Sequence, residues 1–196
     1  MELIIRKATG ADIDTVAEIY ELIHTEEEAG RTTTGWKRGV YPTRAVAEAA
    51  VQHGDLFVME AEGRVSAAAI INHTQVDIYA GAPWQYDAPD EQIMVLHTLV
   101  VDPRVKGRGL GRAFEAFYER HALEQGCPYL RIDTNARNTA ARRLYAHLNY
   151  REIAVIPCGR ARREDRTVRH GLRRGAGSAP RAAARGIRIS ATCAAR

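Results

Sequence analysis

The sequence predicts an α/β fold, a central sheet with helices on both faces, and three observations lead there. Short β-rich runs alternate with segments of helical period along the first 158 residues. The most continuous of those runs, Ile93 to Val101, passes through a glycine-rich turn into helical periodicity. The chain of 196 residues, 45% hydrophobic, suffices for one sizeable core and makes two full domains unexpected.

Taken in order, Leu3 to Ile5 is a short β-branched run that reads as a first strand. Thr9, with Asp12 three residues on, resembles a capping box opening a helix with Ile13, Val16, Ala17 and Tyr20 on one face. His24 to Val40 has no clean period and carries three glycines; it reads as a long, partly ordered loop, with a lid and plain disorder as competing roles. Thr43 can cap a second helix that Gly54 ends. Leu56 to Glu60 and Val65 to Ile71 are strand-like runs around a Glu62-Gly63 hairpin turn. The irregular stretch Thr74 to Asp90 holds Tyr79, Trp84 and Tyr86, which suit either a substrate pocket or the cover of a core edge. After the strand Ile93 to Val101, Leu110, Ala113, Phe114, Phe117 and His121 recur at helical spacing, and Gly126 closes that helix. Tyr129 to Asp133 is the next strand, Asn138 caps a helix with Ala141, Leu144, Tyr145 and Leu148 on its apolar face, and Tyr150 to Ile156 is a last strand.

The formal net charge of +4 is unevenly spread. Residues 1–158 hold 17 of the 28 Lys and Arg and 22 of the 24 Asp and Glu, so the body is mildly acidic and only the tail is basic. A nucleic-acid reading therefore rests on the tail alone. Cys127, Cys158 and Cys193 are far apart, with no CxxC pair and no histidines at metal-ligand spacing, so neither disulfides nor a metal site are expected. There is no apolar run of transmembrane length and no signal-peptide pattern at the N-terminus, and a cytoplasmic protein without membrane contact is expected.

Chemistry concentrates at Val101 to Phe114, where Gly107, Gly109 and Gly111 clear side chains from a tight turn leading into a helix. Backbone N–H groups there can approach a ligand closely, and the positive end of the helix points at the same place. That arrangement suits a phosphate or pyrophosphate. A Walker loop would need Gly-Lys followed by Ser or Thr, which the chain lacks, and a dinucleotide fingerprint in register with Gly107 and Gly109 would need a third glycine where Arg112 stands.

Lys106-Gly107-Arg108-Gly109-Leu110-Gly111, after Val101-Asp102-Pro103, resembles the coenzyme-binding loop of the GNAT superfamily of N-acetyltransferases, with lysine where Arg or Gln is usual. A register from Arg104 to Gly109 satisfies the pattern literally but leaves a shorter loop after the proline, and the first is preferred. A second signature, Asn138, Ala141 and Tyr145 within DTNARNTAARRLYAHLNYRE, resembles that family's Asn-x-x-Ala-x-x-x-Tyr helix. The resemblance covers residues 1–158. It implies a twisted mixed sheet whose fourth and fifth strands splay into a V, acetyl-CoA as cosubstrate, and a primary amine of a small molecule or peptide as acceptor. A homodimer is compatible with it.

On that resemblance, backbone N–H groups from Leu99, Val100 and Val101 would polarise the thioester, and Gly107, Gly109, Leu110 and Gly111 would present amides to the pyrophosphate. Lys106 would head that coenzyme-binding loop, and Arg108 and Arg112 would pair with coenzyme phosphates, against the alternative that they are solvated charges at the helix start. Asn138 would combine capping with a contact to the pantetheine arm, and Tyr145 would act as the acid for the leaving thiolate, against the alternative that it only packs. His97, near the end of its strand, has the chemistry of a base for the amine; a structural histidine bonded within the sheet is the alternative. Glu91 is the reserve base, acting through water.

Residues 159–196 change character: 25 of 38 are Arg, Ala or Gly. A disordered basic tail, a lineage extension and translation in a shifted reading frame all fit, and the last is preferred. No further apolar strand is expected in it. Two rival functions remain: a non-catalytic acyl-CoA-binding or regulatory module, and nucleic-acid binding through the tail.

Overall fold

The computed structural model describes residues 2–76, 79–80, 82–84, 86–157, 166–170 and 188–189. Cys158, Cys193 and most of the Arg/Ala/Gly-rich tail, with its expected disorder and frame-shifted origin, lie outside the described residues. The chain divides into two compact units: Met1–Thr32, Trp36–Ile71 and His97–Phe117 form the first, and Thr33–Gly35, Asn72–Leu96 and Tyr118–Arg196 the second.

In the first unit, β1 (Leu3–Lys7) pairs antiparallel with β2 (Leu56–Ala61) and β2 with β3 (Arg64–Asn72), and β4 (Ile93–Val101) contributes His97–Val101. The β2–β3 turn is the expected Glu62-Gly63. Both residues are left-handed, with φ of 55° and 74°, the geometry whose twist matches a paired hairpin. Side chains on β2 alternate between faces. Leu56 and Val58 join Val16, Ile19, Tyr20 and Ile23 of α1 (Ile13–Glu28) and Ala47 and Ala50 of α2 (Arg44–His53) in one core, with Val100 of β4. Phe57 instead meets Phe117 of α3 (Leu110–Glu124), ring centroids 5.4 Å apart. Helices thus cover both faces of the strands, as the sequence predicts.

Thr43 and Gly54 bracket α2, with Gly54 in the left-handed region at φ 72°. Helix α1 runs on through His24–Glu28, which the sequence reading assigned to a loop; glutamates and a histidine gave no apolar stripe there, yet Ile23 and His24 are buried. At its entrance the Thr9 amide donates to Asp12 Oδ2 at 2.7 Å, and the Arg6 guanidinium donates to both Asp12 oxygens at 2.8 Å.

In the second unit, Ile93–Leu96 of β4 pair in parallel with β5 (Tyr129–Ile132). That ladder ends at Leu96↔Ile132, where β5 itself ends, while β4 continues to Val101. The Tyr118 hydroxyl reaches the carbonyls of Met94 at 2.6 Å and Arg131 at 3.1 Å, one on each strand. Tyr79, Ile93 and Val95 form a core with Trp84 and Tyr129 packed against it, so Tyr79 and Trp84 of the irregular stretch cover a core edge. Trp84 also lies 3.8 Å from the guanidinium carbon of the buried Arg131, whose pKa burial lowers.

After β6 (Thr134–Asn135) and α4 (Thr139–His147), β7 (Glu152–Pro157) pairs antiparallel with β8 (Arg166–His170). The sequence predicts no further apolar strand after residue 158; β8, RTVRH, is a strand without an apolar run, which no apolar pattern announces. β9 (Arg188–Ile189) pairs with β5, β7 and β8.

The Arg6 hydrogen bonds hold the Asp12 carboxyl down to about 2, against the opposing effect of burial. A carboxyl depressed in the folded state stabilises above its unfolded pKa near 4, and that contribution is lost as pH falls towards 2. Asp12→Asn should lower stability by about 1–2 kcal/mol at pH 7, allowing for the partly exposed guanidinium. In denaturant unfolding, the gap between variant and parent should narrow as pH drops from 4 to 2; a gap independent of pH would contradict the ion pair's role.

Candidate active site

The first unit holds most of the expected site. His97 is half-buried, with its Nε2 shielded from solvent. Next to it, Thr98 sits at φ 51° within β4. For a β-branched residue this is a strained conformation, costing about 1–3 kcal/mol, and strain of this kind clusters at functional sites. It interrupts the regular alternation of the strand as a bulge does, re-aiming the peptide groups that follow. Thr98 Oγ1 and the Tyr41 hydroxyl share a hydrogen bond. Beyond it Val100 is buried in the core, while Leu99 and Val101 are partly exposed.

The loop that follows is anchored at its base. The Asp102 amide donates to the Ser66 carbonyl at 2.9 Å. The Asp102 carboxylate accepts from the Arg104 amide at 2.8 Å and pairs with its guanidinium at 2.8 Å, and that guanidinium reaches Glu18 of α1 at 2.7 Å. Burial pushes the Asp102 carboxyl up, but the Arg104 hydrogen bonds and charge outweigh it and hold the group below its ordinary value. Neither anchor was assigned a role from the sequence, although an aspartate directly ahead of a proline-started turn is a recognisable cap.

Past this base, Lys106 to Gly109 are exposed and Leu110 is buried at 2% exposure, fixing the start of α3. Gly107 and Gly109 have φ of 85° and 78°, and a side chain at either would meet no atom within 4 Å. Gly111 lies in the first turn of α3, where helix amides have no carbonyl ahead of them. Lys106 lies 3.9 Å from the half-buried Glu26 and Arg108 3.4 Å from the exposed Glu62, both at long range for an ion pair, and Arg112 is exposed on the same turn. An open, left-handed turn with three cations at a helix N-terminus fits a phosphate-bearing coenzyme.

The second unit carries the remaining candidates. Asn138 caps α4, its Oδ1 accepting from the Ala141 amide at 3.1 Å. Tyr145 is 4% exposed, with its ring edge-on to Tyr150 at 5.8 Å. Glu91 is exposed in a short turn ahead of β4, and its carbonyl accepts from the buried Cys127 thiol at 3.4 Å. Among the described residues, no group of three His, Cys, Asp or Glu is placed to hold a metal ion, and no helix is long and apolar enough to cross a membrane.

The sequence profile of the Acetyltransferase (GNAT) family matches residues 16–150. The chain belongs to the GNAT acetyltransferase family. Solved structures share the GNAT fold. An acetyltransferase from Streptococcus agalactiae is 22% identical with a TM-score of 0.66, over 80% of this chain and 90% of its own. A Salmonella typhimurium protein described as an acetyltransferase, solved with its cofactor acetyl-CoA, is 21% identical with a TM-score of 0.63, over 92% of this chain and 99% of its own. The ribosomal-protein-S18-alanine N-acetyltransferase of Escherichia coli is 18% identical with a TM-score of 0.58, over 85% of this chain and 89% of its own. No curated protein sequence matches this GNAT chain significantly.

The open, left-handed glycines predict a specific cost. Gly107→Ala and Gly109→Ala should each destabilise by about 1 kcal/mol through backbone strain alone, with no steric clash. In thermal unfolding a gain in Tm for either would contradict the turn.

Proposed function

We propose that this GNAT protein transfers an acetyl group from acetyl-CoA to a primary amine of a small molecule or peptide by direct attack. The observation that carries the reading is the glycine turn at the N-terminus of α3, open where side chains would stand and lined by Lys106, Arg108 and Arg112. Amides from Gly107, Gly109, Leu110 and Gly111 would hold the coenzyme pyrophosphate, the three cations its phosphates, and Asn138 its pantetheine arm.

An alkylamine of pKa about 10 is mostly protonated at neutral pH, so it must lose a proton to become nucleophilic. In this reading His97 accepts that proton, directly or through water, with Glu91 in reserve through water. The amine nitrogen bonds to the thioester carbonyl carbon, the carbon–sulfur bond breaks, and the sulfur leaves with the electron pair. Tyr145 gives its proton to that sulfur. Backbone N–H groups of Leu99, Val100 and Val101 stabilise the negative oxygen formed on the way.

Acetyl-CoA should raise the melting temperature of the protein, and Gly109→Glu, which puts a carboxylate into the cradle, should abolish that rise. No rise at millimolar acetyl-CoA would exclude the reading. Tyr145→Phe should lower kcat at least tenfold while the KM for acetyl-CoA stays within twofold, measured with the best acceptor from an amine panel. An unchanged kcat would make Tyr145 a packing residue. Binding without release of coenzyme A thiol for any amine would favour a non-catalytic module.

A further inference from the structure

Thr98 adopts a left-handed conformation costly for a β-branched residue, and its side chain bonds to a distant segment. The Tyr41 hydroxyl bonds to Thr98 Oγ1, and the Tyr41 ring rests edge-on against Trp36, centroids 6.0 Å apart. The next residue, Pro42, is buried, and its carbonyl accepts from His24 Nε2 at 2.9 Å. That bond places the His24 proton on Nε2. His24 is itself 1% exposed on α1, one helical turn after Tyr20, so the segment carrying Tyr41 is fastened to a buried face. Burial and the neighbouring Tyr41 phenol push the Tyr20 hydroxyl up. The result is a continuous line from α1 through His24, Pro42 and Tyr41 to Thr98, all within the first unit.

We propose that Tyr41 is a positioning residue for acyl transfer: its hydroxyl bond to Thr98 fixes the left-handed turn in β4 and so aims the peptide groups from Thr98 to Val101. This rests on the acetyl-transfer reading above. Thr98 lies between His97 and the three residues whose amides face the reacting carbonyl in that reading. A β-branched residue released from φ 51° relaxes towards ordinary extended backbone, which turns those amides away. Tyr41 touches neither substrate nor coenzyme in this role; it acts through Thr98. His24 serves one step further back, holding Pro42 and with it the ring.

Tyr41→Phe keeps the ring and its contact with Trp36 and removes only the hydroxyl. Its kcat should fall at least tenfold, with the KM for acetyl-CoA within twofold. Glycine takes φ near +50° without help, so Tyr41→Phe combined with Thr98→Gly should recover most of the lost kcat. A merely structural tyrosine would give no such rescue, because a second cavity-forming change would lower stability and activity further. Amide hydrogen exchange at Thr98 and Leu99 should quicken at least tenfold in Tyr41→Phe. An unchanged kcat in Tyr41→Phe, a double variant no better than the single one, or unchanged exchange would each overturn the proposal. If the parent protein shows no transfer to any amine, the acetyl-transfer reading fails, and exchange at Thr98 and Leu99 still decides whether Tyr41 holds the turn.

Discussion

A single left-handed residue divides β4 into two stretches with different tasks. Up to Leu96 the strand is paired with β5 in an ordinary parallel ladder. At Thr98 the backbone turns to φ 51°, and beyond it the strand leads to the anchored base of the glycine turn. A β-branched residue in that region costs about 1–3 kcal/mol, which only a surrounding network can offset. Around it stand the Tyr41 bond, the seat of Pro42 on His24 and the buried Val100. In the proposed reaction, relaxing the turn would lose the aim of the amides that follow.

The glycine turn depends on a second network of a different kind. Lys106 to Gly109 are exposed, so the turn does not hold itself by packing. Its geometry is set from both ends. Asp102, bonded to Ser66 and Arg104, fixes where it begins, and buried Leu110 and Phe114 fix the helix into which it runs. Between these ends two glycines supply left-handed backbone with open space beside them. Exposure, which makes the turn poor at stabilising the fold, keeps its amides and three cations available to an anion.

Most of the architecture could be read from local chemistry. Thr43 and Gly54 around α2, the Glu62-Gly63 turn, Asn138 as a cap and the continuous run Ile93 to Val101 each carry their own signal, because caps, turns and apolar runs act over a few residues. The features that escaped act over long separations. Nothing near Thr98 in sequence marks it as left-handed, since its partner is 57 residues away. The end of α1 lacks an apolar stripe, and the residue buried there is His24, which bonds to the Pro42 carbonyl 18 residues on. β8 escaped because its sequence, RTVRH, carries no apolar pattern. At the candidate site the glycine turn into α3 was legible, whereas the anchors Asp102 and Arg104 and the bond between Tyr41 and Thr98 emerge only once the strands are assembled.

In the proposed reaction, the peptide groups after Thr98 and those of the glycine turn serve one coenzyme. Backbone amide exchange with and without coenzyme A reads both stretches at once. Adding coenzyme A should slow exchange in both Leu99–Val101 and Gly107–Gly111. Exchange unchanged at both stretches, or slowed only elsewhere in the chain, would contradict it.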